Sequence, residues 1–241
     1  MLNWGLIGAG GIAKVFCNGM RFSKTGQIAA VASRSKERAA ELASAFAISK
    51  VYHDYDSLLA DDQIDVVYIS TIHPFHAEWV IKAARAGKHI LVEKPIGMNY
   101  QEAAAMVEAA QTNDVFLMEA FMYRCHPQTI KLAELVRDGA IGKVQVVRSV
   151  FSYNAAFNPT SRTYANELGG GGILDVGCYP ASMTRLIAGA ASGKAFLNPV
   201  EVKGIAKIKI NTSSNRLYVT LCPFAKTRVF LLVDKSNIWV L

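Results

Sequence analysis

The fold of this chain is decided near its start by the stretch Leu2-Asn3-Trp4-Gly5-Leu6-Ile7-Gly8-Ala9-Gly10-Gly11-Ile12-Ala13. An apolar, strand-like run comes first, followed by the pattern G-x-G-x-x-A and a segment with helical spacing of apolar residues. In this setting the pattern is typical of a turn that holds a dinucleotide pyrophosphate at a helix N-terminus. Gly8, Gly10, Gly11 and Ile12 are therefore candidate cofactor-binding residues, and an ordinary strand-to-helix turn is the alternative.

The end of the second predicted strand indicates which dinucleotide binds. Enzymes that use NAD typically carry an acidic residue there, which accepts hydrogen bonds from the ribose 2′-hydroxyl. This chain instead has Ser33 and Arg34, with Arg38 one helical turn further on. Guanidinium groups suit a 2′-phosphate because they form forked, charge-assisted hydrogen bonds. We predict NADP as the cofactor, with NAD as the alternative; the arginines are otherwise solvated cations at a helix start.

Strand-like and helical segments alternate through the first half of the chain. The predicted strands are Leu2–Ile7, Ile28–Ala32, Val66–Ile69, His89–Val92 and Val115–Met118. Helical spacing follows Ser35, a candidate N-cap, and recurs in Pro74–Ala84 and Gln101–Gln111. Continuous apolar strands that alternate with helices predict an α/β fold, a doubly wound parallel Rossmann sheet covered on both faces.

The pattern changes after Phe121. The predicted elements are then a helix Pro127–Val136, a long alternating strand Lys143–Tyr153, a glycine-led helix Ile173–Ile187, and strands in Val200–Ile210, Leu217–Leu221 and Arg228–Val233. This order predicts an α+β domain with an open, mostly antiparallel and incomplete sheet. We place the domains at residues 1–122 and 123–241.

Composition and charge exclude several classes of protein. No apolar run approaches the ~18 residues of a membrane span, and no basic segment of the kind that opens a signal peptide precedes the first strand. The four cysteines, Cys17, Cys125, Cys178 and Cys222, have no spacing suited to zinc. We therefore expect buried, reduced thiols, no metal site, no membrane association and a cytoplasmic location.

The net charge of +7 is concentrated at one end of the chain. Residues 201–241 contain seven of the 26 basic residues and only two acidic ones. A nucleic-acid-binding protein is expected to gather basic and aromatic residues on one folded face. Since the body of the chain is close to neutral, we do not expect nucleic acid as a partner.

Four further segments carry a resemblance to a known family. They are Thr71-Ile72-His73-Pro74-Phe75-His76, Glu93-Lys94-Pro95, Glu119-Ala120-Phe121-Met122-Tyr123-Arg124-Cys125-His126-Pro127, and Gly169–Gly172 followed by Asp175 and Tyr179. Their order and intervals resemble the glucose–fructose oxidoreductase / inositol dehydrogenase family (Gfo/Idh/MocA) over roughly residues 1–208. The resemblance implies a Rossmann domain, an open-sheet domain, and nicotinamide and substrate in the cleft between them.

The resemblance also implies roles for single residues. It places Lys94 beside the nicotinamide and the substrate hydroxyl, and puts Tyr179 where many members have a histidine. With a tyrosine at that place, the sequence resembles the branch of the family that contains glucose–fructose oxidoreductase, dimeric dihydrodiol dehydrogenase and NADP-dependent xylose dehydrogenase. The remaining implied contacts are Thr71, His73 and His76 in the cofactor cleft, Glu93 near the ribose, Arg124 and Arg162 at the nicotinamide or substrate, and Tyr153 with Phe151 and Phe157 in a substrate wall. A surface histidine is the alternative for His73, a structural ion pair for each arginine, and a plain sheet face for the aromatic residues.

The chemistry of such a reaction fits these residue types. Removal of a hydride from a secondary alcohol also requires removal of its proton, so a positioned acid/base is needed. A free tyrosine has a pKa of ~10, and a nearby ammonium favours the phenolate. Asp175 and Tyr179 are spaced i, i+4, so Asp175 is predicted to orient Lys94 or bind a substrate hydroxyl. The alternatives are an aromatic packing residue for Tyr179 and a solvated strand-end lysine for Lys94.

These patterns predict an NADP-dependent oxidoreductase that acts on a sugar or vicinal diol. Two alternatives are a catalytically defective dinucleotide-binding protein and a structural or regulatory homodimer formed through the open sheet. Residues 209–241 lack the turn and hairpin expected of relatives. Their basic excess and apolar end favour a truncated or frame-shifted terminus, and a divergent closing hairpin is the alternative.

Overall fold

The structure is a computed structural model that describes residues 1–154, 156, 158–207, 216–222 and 230–234, with backbone alone from residue 203 onward. The chain divides into two compact units, Met1–Ala120 and Phe121–Leu241. The sequence-based boundary lies after residue 122.

The first unit is built on six strands and five helices. The strands are β1 (Leu2–Ile7), β2 (Gly26–Ala32), β3 (Lys50–Tyr52), β4 (Val66–Ile69), β5 (His89–Val92) and β6 (Leu117–Glu119). The helices are α1 (Gly11–Met20), α2 (Lys36–Phe46), α3 (Tyr55–Leu59), α4 (His76–Arg85) and α5 (Tyr100–Thr112). A 3₁₀ turn at His73–Phe75 precedes α4.

All six strands are parallel and lie in the order β3-β2-β1-β4-β5-β6. The strand order reverses between β1 and β4. Open sheets of this kind bind ligands at the carboxyl ends of the strands, next to such a reversal. The predicted doubly wound Rossmann fold is confirmed for this unit.

Apolar side chains cover both faces of this sheet. In β1, Leu6 packs with Cys17 of α1 on one face, and Ile7 packs with Val80 of α4 on the other. All four residues of β4 are buried. Burial on both faces explains why β4 is continuously apolar in the sequence and why its bounds were predictable.

The second unit combines helices with a four-stranded sheet. Its elements are α6 (Pro127–Arg137), β7 (Ser149–Val150), α7 (Cys178–Ala190), β8 (Glu201–Lys207), β9 (Arg216–Cys222) and β10 (Phe230–Asp234). The sheet has the order β7-β10-β9-β8 and is antiparallel except for the β10–β7 pair. Helices α6 and α7 bury Ala133, Val136, Ile187 and Ala190 against each other. The predicted α+β class with a mostly antiparallel sheet is confirmed.

Two sequence predictions for this unit need correction. The strand predicted at Lys143–Tyr153 is reduced to Ser149–Val150, which are the residues that pair with β10. Alternating polarity becomes a strand only where a neighbouring strand offers backbone partners. The glycine-led helix begins as one π-helical turn, Ile173–Gly177, before α7. Apart from the backbone of β9 and β10, the interpretations of residues 209–241 lie outside the described residues.

The prediction of buried thiols holds for Cys17 but is wrong for Cys125, which is exposed at the end of a 3₁₀ turn, Met122–Cys125. Cys178 is partly buried, and the side chain of Cys222 lies outside the described residues. Burial raises the pKa of the Cys17 thiol to about 11. Within the described ranges, no helix is long and apolar enough to cross a membrane.

Candidate active site

The turn between β1 and α1 requires a glycine at its first position. Gly8 has φ of +106°, and a Cβ atom there would lie 2.8 Å from Ser70 Oγ. The Gly8 amide donates a hydrogen bond to the Ala32 carbonyl oxygen at 2.9 Å. Both the left-handed backbone and the close contact with β4 therefore exclude a side chain here.

Gly10 and Gly11 have a different reason to be glycine. A Cβ atom added at either position would meet no protein atom within 4 Å. Gly10 is the N-cap of α1 and forms no side-chain cap, and its φ of −88° suits any residue. The open space lies at the N-terminus of a helix, where a pyrophosphate needs close access to the backbone. Ile12 follows in the first turn of α1 and is partly buried.

These two kinds of glycine predict opposite effects of alanine. We expect Gly8→Ala to destabilise the fold by about 1–3 kcal/mol because alanine is strained at positive φ. We expect Gly10→Ala to leave the unfolding free energy nearly unchanged while weakening dinucleotide binding. Urea unfolding and fluorescence titration with NADPH measure the two effects. Unaltered NADPH affinity in Gly10→Ala would argue against a pyrophosphate at this turn.

The segment after β2 presents two exposed arginines. Ser33 is 6% exposed, and its Oγ accepts a hydrogen bond from the Ser35 amide at 3.1 Å. The Arg34 guanidinium lies over the Phe75 ring, 5.1 Å from its centroid. Ser35 caps α2 by accepting a hydrogen bond from the Arg38 amide, as predicted. The cap holds the start of α2, and both guanidinium groups remain exposed on this edge.

A cavity of about 400 Å³ adjoins the glycine turn. It is lined by Ala9, Gly10, Gly11, Lys14, Arg38, Glu41, Leu42 and Ala45. Lys14 and Glu41 are not among the candidate site residues predicted from the sequence. For Lys14 the available signal was its place directly after the glycine motif; for Glu41 it was the i, i+3 spacing from Arg38 on α2. Lys14 and Arg38 place two cationic side chains in the lining of this cavity, together with the carboxylate of Glu41.

The carboxyl end of β5 carries the Glu-Lys-Pro segment. Glu93 Oε1 accepts a hydrogen bond from the buried Tyr68 hydroxyl at 2.6 Å, and Oε2 accepts one from the Lys94 amide at 3.2 Å. Burial and the Glu93 charge raise the pKa of Tyr68 well above its ordinary value. The Glu93 carboxylate is thus engaged within the protein. Lys94 itself is half-buried.

Two histidines assigned to the cofactor cleft are buried. His73 is 4% exposed, so the interpretation of it as a surface histidine is wrong. His76 has no exposed surface, which is incompatible with direct contact between its side chain and a cofactor in this structure. Helix α4 begins at His76 and directs the ring into the protein, between two backbone carbonyl groups. Thr71 is partly buried, and its Oγ1 is buried without a hydrogen-bond partner among the described residues.

Tyr179 lies in the first turn of α7, within an aromatic cluster of the second unit. Its ring centroid lies 5.1 Å from Phe151, 5.4 Å from Phe121 and 5.9 Å from Tyr123. The side chain is only partly buried and borders a cavity of about 610 Å³. That cavity is lined by Met122, Tyr123, His126, Gln128, Thr129, Leu132, Ser149, Val150, Phe151, Tyr179, Pro180 and Met183. Tyr179 therefore combines packed ring edges with access to open space.

Asp175 is the centre of a polar group next to this cluster. It is 4% exposed and accepts a hydrogen bond from the Tyr153 hydroxyl, and Arg162 Nη1 lies 3.6 Å from its other oxygen. Burial and this bond raise the pKa of Tyr153 to about 12. Arg162 thus forms an ion pair with Asp175, and a structural ion pair is the alternative that the sequence left open for this arginine. Arg124 is exposed, and the side chain of Phe157 lies outside the described residues.

A parallel sheet of this strand order, with an open glycine turn at its first strand-to-helix connection, defines the first unit as a dinucleotide-binding Rossmann domain. Comparison with known proteins then identifies the family. The family model described as "Oxidoreductase family, NAD-binding Rossmann fold" matches residues 2–121. The GFO/IDH/MocA C-terminal domain matches residues 129–215, a little beyond the predicted end of the resemblance. The chain belongs to the GFO/IDH/MocA oxidoreductase family.

Curated relatives and solved structures agree with this family. A trans-1,2-dihydrobenzene-1,2-diol dehydrogenase from Danio rerio is 35% identical over 233 residues, which cover 93% of this chain and 69% of the relative. D-xylose 1-dehydrogenase (NADP(+)) 2 from Haloferax volcanii is 42% identical over 163 residues, 68% of this chain and 50% of the relative. A 3-ketoreductase from Actinomadura kijaniata, in complex with NADP and TDP-benzene, superposes with a TM-score of 0.81 at 26% identity, covering 99% of this chain and 71% of that one. The chain thus spans half to about two thirds of the length of these curated relatives.

Proposed function

We propose that this protein is an NADP-dependent oxidoreductase that transfers a hydride between the nicotinamide and a carbon of a sugar or vicinal diol. The observation that carries the proposal is the open helix N-terminus at Gly10 and Gly11, together with Arg34 and Arg38 where NAD enzymes have an acid. The names of the relatives support it: they act on trans-1,2-dihydrobenzene-1,2-diol and on D-xylose, the latter with NADP.

The residues that would hold the cofactor are those of the glycine turn, which receive the pyrophosphate, and the cations beside it. Arg34, Arg38 and Lys14 supply positive charge for a 2′-phosphate. Bound NADP(H) would supply or accept the hydride. The protein's own part in the chemistry is then to orient the substrate hydroxyl and to move its proton.

We propose that Tyr179 removes and returns the proton of the substrate hydroxyl. Lys94 would supply the positive charge that favours the phenolate form of Tyr179. Tyr179 supports this assignment because it borders open space while its ring is held by three aromatic neighbours. Asp175, Tyr153 and Arg162 form a hydrogen-bonded, ion-paired group suited to binding substrate hydroxyls. Arg124, exposed on the same unit, remains a proposed substrate contact.

The cofactor preference predicts the effect of removing Arg34. We expect Arg34→Ala to weaken NADP binding by about 10- to 100-fold, since a hydrogen bond to a charged group contributes ~1.5–3 kcal/mol. NAD, which lacks the 2′-phosphate, should lose much less affinity. Calorimetric titration of both dinucleotides measures the difference. Arg21→Ala is a matched control, because Arg21 also stacks on an aromatic ring, Phe46, with its guanidinium 4.8 Å from the centroid. An Arg34→Ala variant that binds NADP like wild type would contradict the assignment.

Turnover tests the proposed activity directly. The experiment is a screen in both directions with NADP(H) and NAD(H) against aldoses, anhydroketoses and trans-diols. NADP-linked oxidation or reduction of one of these classes is the expected result. NADP binding without turnover on any class would contradict the proposal and leave a dinucleotide-binding protein.

A homodimer formed through the sheet of the second unit is the proposed assembly. The antiparallel strands β8, β9 and β10 supply the surface that this assembly would use. Sedimentation analysis should give a mass near twice 26.2 kDa. A monomeric mass at micromolar concentration would remove the dimer from the proposal. The cytoplasmic location stays a prediction.

A further inference from the structure

A buried histidine connects two loops at the carboxyl edge of the first sheet. His76 has no exposed surface. Its Nδ1 lies 2.9 Å from the carbonyl oxygen of Pro95, and its Nε2 lies 2.9 Å from the carbonyl oxygen of Thr71. A ring with a single N–H donates to one of these two carbonyl oxygens, which only accept, and lies in close contact with the other. In either tautomer the ring packs between the loop after β4 and the loop after β5 and joins them.

The bridge acts on the backbone immediately after Lys94. Pro95 follows Lys94 directly in the chain. The contact of the His76 ring with the Pro95 carbonyl group therefore restrains the backbone on the carboxyl side of Lys94. Two carboxylates hold the neighbouring amides: Glu93 accepts from the Lys94 amide, and Glu119 accepts from the Ile96 amide at 2.8 Å. The backbone of residues 94–96 is thus held by three side chains: His76 at the start of α4, Glu93 directly after β5, and Glu119 at the end of β6.

The ring is fully buried, so an apolar substitute at residue 76 leaves the carbonyl oxygen that accepted its N–H without that partner. A loop that loses such a tie relaxes, and the side chain it carries moves with it. A misplacement of about 1 Å at a reacting centre can cost about 100-fold in rate.

We propose that His76 is a positioning residue for Lys94: it holds the Glu-Lys-Pro segment in the geometry that proton and hydride transfer require, without contacting the cofactor or the substrate. The proposal rests on the proposed function, because it assumes that Lys94 acts in the reaction. It differs from the role that the sequence resemblance implied, which was a direct contact in the cofactor cleft.

The chain offers a matched control in Lys88. This lysine is also buried, at 6% exposure, and its Nζ also joins two backbone carbonyl oxygens, those of Asp61 and Ile64, each at 2.8 Å. Lys88 lies directly before β5, at the amino ends of the parallel strands, whereas Lys94 lies after β5, at their carboxyl ends. The two bridges are therefore at opposite ends of the strands of the same sheet. Lys88→Met therefore removes a comparable bridge away from the site.

The experiment compares His76→Leu, His76→Gln and Lys88→Met in the full chain. We expect His76→Leu to lower kcat by about 10- to 100-fold while leaving NADP affinity and substrate KM little changed. His76→Gln should recover part of kcat, because its amide can still donate to a carbonyl oxygen. Lys88→Met should lower the Tm but keep kcat close to wild type.

Amide hydrogen exchange supplies a readout that does not require turnover. His76→Leu should speed exchange of the Lys94 and Ile96 amides, and Lys88→Met should not. Equal losses of kcat in His76→Leu and Lys88→Met, or unchanged exchange at residues 94–96, would overturn the proposal. If His76→Leu fails to fold, the same comparison is made with His76→Gln. If His76→Leu speeds exchange at residues 94–96 but the wild-type protein turns over no substrate, the proposed function is overturned and the structural role of the histidine bridge stands.

Discussion

Replacing Tyr179 by phenylalanine is expected to lower kcat by about 100- to 10,000-fold, the range that a general acid–base group contributes. The change removes one hydroxyl group and keeps the ring edges that contact Phe121, Tyr123 and Phe151. NADP affinity and Tm should therefore stay close to those of wild type. Steady-state kinetics, NADPH titration and thermal unfolding on the same preparation measure the three quantities.

The control for this substitution is Tyr52→Phe. It removes a phenol that donates to Asp61 at 2.8 Å in the first unit, away from any residue with an assigned role in the reaction. Its kcat should remain near that of wild type. If Tyr179→Phe retains full turnover, Tyr179 is an aromatic packing residue, and the acid/base must be another group.

Replacing Lys94 by alanine is expected to damage two quantities at once. The substitution removes a charge that is proposed both to favour the phenolate and to lie next to the nicotinamide. We expect kcat to fall by at least about 100-fold, the lower end of the contribution of an acid–base group, and NADP affinity to fall as well. Single-turnover kinetics and calorimetry separate the two losses, because they report the chemical step and binding independently.

Lys82→Ala is a suitable control for the loss of a lysine. Lys82 is exposed on α4 and pairs with Asp56 and Glu78, and exposed pairs of this kind contribute only ~0–1 kcal/mol. Its removal should change neither turnover nor NADP binding. A Lys94→Ala variant with normal kcat and normal affinity would identify Lys94 as a solvated strand-end lysine. A loss confined to affinity would remove Lys94 from the chemical step.

Sequence pattern was a good guide where an element is buried on both faces. The bounds of β1, β4 and β5 were predicted as they occur, because each is a mostly apolar run next to polar or glycine-containing turns; β4 is apolar and buried throughout. It failed for β3, a three-residue edge strand whose side chains are not fully buried, and for the short helix α3. It overextended β7, since alternating polarity does not specify how many residues find a partner strand.

The same division applies to the candidate site. The turn at Gly8, Gly10 and Gly11 could be predicted because a motif between a strand and a helix places its own backbone; its binding of a pyrophosphate stays a prediction. Lys14 and Glu41 were missed because the cavity beside the turn is formed where α1 and α2 come together. The ion pair between Arg162 and Asp175 became visible only in the folded second unit.

By itself, the sequence determined the fold class, the glycine turn between β1 and α1, and the pair of arginines after β2, since each depends on neighbours along the chain. Tertiary structure alone decided the surroundings of single side chains. It buried His76 between the carbonyl groups of Thr71 and Pro95, and it engaged Glu93 with Tyr68. The physical reason is that parallel strands distant in sequence end at one edge of a sheet, and only folding establishes which polar groups meet there.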